Sequence, residues 1–96
     1  MARALKLLRK AKDSPRNFAF DDLRQLVESA GFVLRRTNGS HHIYMHPNPD
    51  VGVMLNLQEG KGGDAKPYQI RQALEAIDAH NLLGHVLNDS EAEDGE

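Results

Sequence analysis

The residues of this chain best suited to chemistry lie in one octapeptide, Gly39-Ser40-His41-His42-Ile43-Tyr44-Met45-His46, which holds three of the five histidines. An imidazole titrates near neutral pH and can serve as general acid or base without a metal. Clustered histidines can also ligate an ion. His42 and His46, however, stand four residues apart, about 13 Å along a strand at ~3.3 Å per residue, and cannot share one unaided. No metal or other cofactor is expected. Solvated strand histidines and a single acid–base histidine both remain compatible with the octapeptide.

A second group of residues suits phosphate. The loop Gly60-Lys61-Gly62-Gly63 leads to Lys66-Pro67-Tyr68 at a helix start, where glycines permit close backbone approach and an amino-terminal helix end attracts anions. It is not a P-loop, because the G-x-x-x-x-G-K-[ST] pattern is absent. Arg35 and Arg36, with Lys61 and Lys66, would form a basic rim around the histidines if strand and loop ends meet. A flexible connector and a solvated arginine pair are the plainer readings of the same residues.

Several elements must position these groups. In residues 1–12, Leu5, Leu8 and Ala11 recur near one face, predicting a short basic helix that the rest of the fold does not need. Asp13-Ser14-Pro15 breaks it. Asp21 and Asp22 suit the start of a second helix with Leu23, Leu26, Val27 and Ala30 on one face, and Gly31 stops it. Asn38-Gly39 predicts a hairpin from Phe32 to His46 whose two central residues both take positive φ. Within its second strand, a core-facing Ile43 and Met45 would place His41 on the core side at the rim and His42, Tyr44 and His46 on the other face.

Pro47-Asn48-Pro49-Asp50 is a further turn, and Val51, Val53, Leu55 and Leu57 alternate with Gly52, Met54 and Asn56 in a third strand. Pro67 opens a helix carrying Ile70, Ala73, Leu74 and Ile77 that should end near His80-Asn81. The predicted fold class is α+β: a small three-stranded antiparallel sheet with helices on one face, the other face left to water or ligand, and an extra amino-terminal helix. The expected organisation is a basic helix and linker at 1–16, a domain at 17–88 and an acidic disordered tail at 89–96.

Ninety-six residues, 40% hydrophobic and 27% charged, suit one small globular domain, and no apolar run reaches the ~18–20 residues of a membrane helix. The chain has no cysteine, which excludes disulfides, thiolate metal sites and a cysteine nucleophile. The net charge of −2 hides an asymmetry. Before residue 89, twelve basic residues face nine acidic ones, a net of +3, and five acids crowd the last eight residues. The folded part is therefore basic enough for a nucleic-acid partner, and the tail is expected to screen that surface in part. Lys6 and Arg9 interrupt any signal-peptide hydrophobic segment, so a cytoplasmic location is expected.

With a helix and Gly31-Phe32 before it and a three-strand, one-helix pattern around it, Gly39-Ser40-His41-His42 resembles the HicA family of bacterial toxin ribonucleases over roughly residues 20–83. The resemblance implies an α-β-β-β-α fold like that of double-stranded-RNA-binding domains. It also implies a metal-independent mRNA endoribonuclease held inactive by a HicB-like antitoxin. The family's catalytic histidine, the first after Gly-Ser, maps to His41. Ser40, His42, Arg35, Arg36, Lys61, Lys66 and Tyr68 become the expected RNA-binding residues. The chain departs from the family pattern where a Pro-x-His segment commonly follows the third strand; here Leu55-Asn56-Leu57-Gln58 leads into a longer glycine loop, as in a divergent branch. A non-catalytic RNA-binding or regulatory module and a protein-interaction domain are the competing functional readings.

Overall fold

A computed structural model describes residues 2–84, so the predicted acidic tail at 89–96 lies outside the described residues. Helix α1 (Ala2–Asp13), helix α2 (Phe20–Ser29), strands β1 (Val33–Asn38), β2 (His41–Met45) and β3 (Met54–Gln58), and helix α3 (Pro67–Ala79) follow one another, with single 3-10 turns at Pro15–Asn17 and Lys61–Gly63. The strands form one antiparallel sheet in the order β1-β2-β3. This is the expected α+β architecture, with α1 added ahead of the α-β-β-β-α order.

Local chemistry sets the ends of the helices. At the end of α2, Gly31 takes φ +99°, its N–H donates to the Glu28 carbonyl (3.0 Å), and the Phe32 N–H donates to that of Val27 (3.0 Å). This is a Schellman stop, and the buried pair Phe32 and Val27 is the apolar contact that accompanies it. Pro67 occupies the first turn of α3, where a missing N–H costs nothing, and Asn81 at φ +50° closes the far end.

The amino-terminal helix is part of the core. Ala4, Leu7, Leu8 and Ala11 are buried with the apolar residues of α2, α3 and the sheet, and α1 packs on both other helices. Arg3 bonds Asp22 (3.2 Å) and Gln25 (2.8 Å) on α2, and Lys12 approaches Asp78 on α3 (3.8 Å). The narrow stripe expected of this helix is corrected: its apolar face is Ala4, Leu7, Leu8 and Ala11, wider than Leu5, Leu8 and Ala11 suggested, and Leu5 is only partly buried. Phe18, just before α2, is fully buried as well.

The hairpin turn and the strand parity also differ from expectation. Asn38 pairs with His41, so the two-residue loop is Gly39-Ser40, and of these only Gly39 (φ +62°) is left-handed. A single left-handed residue at the first position is the II′ pattern, in place of the two required by an Asn-Gly I′ turn. In β2 it is Tyr44 that is fully buried, whereas Met45 is 46% exposed. Tyr44 lies directly opposite Leu55, and His42 opposite Leu57, both leucines buried against the helices. Directly paired residues share a face, so the buried leucines fix the parity of β2, and His41, Ile43 and Met45 occupy the open face.

Tyr44 satisfies its hydroxyl within this interface: Arg24 Nε donates to it (2.9 Å) and it donates to Glu28 Oε2 (2.8 Å). Burial pushes the phenol above its ordinary pKa, against the opposing effect of the Arg24 hydrogen bond, and the bond to Tyr44 in turn raises Arg24. The triad ties the central strand to α2.

Candidate functional site on the open sheet face

The exposed face of the sheet is organised in rows of directly paired residues. Val33, Met45 and Met54 form an apolar row at one end, Arg36, Ile43 and Asn56 form the next, and Asn38, His41 and Gln58 form the row beside the hairpin turn. Arg35 is the extra residue of a β-bulge between Leu34 and Arg36, which lets Arg36 stand opposite Ile43.

His41 is exposed in the last of these rows, and its Nδ1 lies 3.0 Å from Oδ1 of Asn56. Gln58, directly across from His41, donates through Nε2 to Ser40 Oγ (3.0 Å) and accepts from Lys66 Nζ at Oε1 (3.2 Å). The turn serine, the histidine strand and the lysine before α3 are thus linked through one glutamine. Of the residues expected to form a basic rim, Lys66 bonds Gln58, which lies across from His41, and Arg36 stands on the same face as His41 in the adjacent row. Arg35 is exposed on β1, Lys61 is exposed on the glycine loop, and Tyr68 is half-exposed at the start of α3 with its hydroxyl accepting from Gln69 Nε2 (3.3 Å).

The other two strand histidines belong to the opposite face. His42 packs its ring on Phe20 of α2 (centroids 5.3 Å apart), and its Nδ1 donates to the Ser40 carbonyl (3.1 Å). His46 has both nitrogens engaged: Nε2 donates to the Ala30 carbonyl (3.1 Å) and Nδ1 accepts the Asn48 N–H (3.1 Å), with the ring edge-on to Phe32. That pattern fixes a neutral tautomer and makes His46 a brace between the end of α2 and the turn after β2. Among the described residues no group of three or more histidines and carboxylates could hold a metal ion.

The glycine loop is a closed structure. Gly60 N–H donates to the Asp64 carbonyl (2.8 Å), Asp64 N–H to that of Lys61 (3.3 Å), and Ala65 N–H to that of Phe18 (2.7 Å). Gly62 and Gly63 take the positive φ that so tight a return demands. The loop therefore ends where α3 must begin and delivers Lys66 to Gln58.

Three residues of this region were missed in the sequence. Asn56 and Gln58 are polar residues on a strand that the sequence marks only by its apolar alternation. Gln69 is 2% exposed and forms two bonds to β3. A polar residue falling within the buried face of Ile70, Ala73, Ala76 and Ile77 was the available signal for it.

A family model described as the HicA toxin of bacterial toxin–antitoxin systems matches residues 20–79, from the first residue of α2 to the last of α3. The chain belongs to the HicA toxin family. It is accordingly the toxin of a toxin–antitoxin pair, and its partner is an antitoxin. Neither the curated proteins nor the solved structures compared with this HicA-family chain include a match to it. Helix α1, which supplies part of the core, precedes the matched segment. No described helix is long and apolar enough to cross a membrane.

Proposed function

We propose that this HicA-family toxin is a metal-independent endoribonuclease that cleaves mRNA with His41 as its general base and is held inactive by a HicB-like antitoxin in the cytoplasm. One observation supports the reading: the histidine that follows Gly39-Ser40 is exposed on the open sheet face, within a polar row whose Gln58 is bonded by Lys66. In the reaction, His41 takes the proton of a ribose 2′-hydroxyl, and the oxygen attacks the adjacent phosphorus. The bond to the 5′-oxygen breaks, giving a 2′,3′-cyclic phosphate and a 5′-hydroxyl end, the latter protonated by solvent or by the imidazolium. Acid–base catalysis contributes about 10²–10⁴-fold, so phosphate positioning and charge stabilisation by Arg36, Lys66, Arg35 and Lys61 supply the remainder.

The absence of the family's Pro-x-His segment favours a second reading, an RNA-binding module that no longer cleaves. Incubation of the purified protein and its His41→Ala variant with mRNA in EDTA separates the two. The first reading expects cleavage by the parent alone; RNA binding without cleavage by either protein gives the second.

A further inference from the structure

Asn56 hydrogen-bonds the His41 ring through its side chain, and it does so from a held position. The two share the open face in adjacent rows, and Asn56 Oδ1 lies 3.0 Å from His41 Nδ1. Asn56 is itself fixed on both sides of its strand: it pairs with Ile43 of β2, and its carbonyl accepts from the buried Gln69 Nε2 (3.2 Å). A carbonyl oxygen can only accept, so the ring nitrogen facing it must carry the proton. The neutral imidazole then has its lone pair on Nε2, on the far side of the ring.

We infer that Asn56 is a positioning residue that holds His41 in the Nδ1–H tautomer, so that Nε2 is the atom that accepts the substrate proton. The inference rests on the reading of His41 as general base. It adds a base-orienting partner in the sense that applies to any catalytic imidazole: the hydrogen bond at one nitrogen sets which lone pair is available at the other and restricts ring rotation. Gln58, directly opposite His41, does not compete for this task, because its amide is engaged by Ser40 and Lys66.

The test is ¹⁵N-edited imidazole NMR of the full chain, at a pH where the ring is neutral, on the parent and on Asn56→Ala and Asn56→Asp. The parent should show His41 protonated at Nδ1. Asn56→Ala should lose that preference, and Asn56→Asp, whose oxygens only accept, should restore it. Cleavage should follow the same order, with kcat of Asn56→Ala lowered about a hundredfold, the scale expected for a displaced reacting group, and partly recovered in Asn56→Asp. A parent His41 protonated at Nε2, or a tautomer unchanged in Asn56→Ala, overturns the inference. Full cleavage by Asn56→Ala with none by His41→Ala also overturns it while leaving the general-base reading standing. Full cleavage by His41→Ala removes that reading and the catalytic role of Asn56 with it.

Discussion

Gln69 on α3 caps the outer edge of β3 through Asn56: its side-chain Nε2 donates to the Asn56 carbonyl (3.2 Å), while its Oε1 accepts the Gln58 N–H (3.1 Å). One buried amide therefore takes the place of a neighbouring strand. It closes the edge that would otherwise present unpaired backbone groups, and it fixes the two β3 residues that face His41 and Ser40.

Gln69→Leu keeps the volume and removes both bonds. It should cost about 2 kcal/mol in urea unfolding, because a buried donor and acceptor lose their partners. Freed of its cap, the β3 edge should also self-associate, visible as concentration-dependent sedimentation. A variant as stable and monomeric as the parent would mean that water replaces the amide without loss.

His41 and His42, adjacent in sequence, should respond in opposite ways. His41→Ala removes an exposed side chain and should leave stability within about 0.5 kcal/mol of the parent while abolishing RNA cleavage and growth arrest. His42→Ala removes a ring packed on Phe20 and should lower stability by about 1 kcal/mol. Because it stands on the helix side of the sheet, its effect on cleavage at a temperature where the variant is folded should be small. Cleavage rates and thermal melts of both variants decide this.

Leu7→Ala should destabilise by about 2–4 kcal/mol, as in a core, because Leu7 is buried between α1 and the rest of the cluster. Removing residues 2–13 should abolish cooperative unfolding. A truncated chain with a normal melting transition would show that α2 and α3 close over the gap by themselves.

Stability should fall at alkaline pH through Tyr44. Its phenol holds its proton to a higher pH in the folded chain than in the unfolded one. The stabilisation linked to that difference is complete below the ordinary tyrosine value of about 10 and is lost as pH rises through the folded value. Between about pH 8 and about pH 11, the urea midpoint of the parent should drop more than that of Tyr44→Phe. Equal drops would assign the alkaline loss to other groups.

Local signals in the sequence determined most of the elements: helical apolar spacing, Gly31 as a stop, Pro67 as a start and the apolar alternation that runs into β3, although that strand begins only at Met54 and Val51–Val53, expected within it, lie in the connection before it. They also determined the family, through Gly39-Ser40-His41-His42 in its setting. These are properties of a few adjacent residues. Which way β2 faces was decided only in the folded chain. A five-residue strand with His41, Ile43 and Met45 on one side and His42 and Tyr44 on the other offers two plausible cores, and a reversal moves every side chain to the opposite face. Pairing with Leu55 and Leu57, and the bonds of the Tyr44 hydroxyl to Arg24 and Glu28, settle the choice. The same long-range pairing brings Asn56 to His41 and Lys66 to Gln58, across 15 and 8 residues of chain. No local pattern encodes those distances, because they depend on strand register and on where the closed glycine loop releases α3.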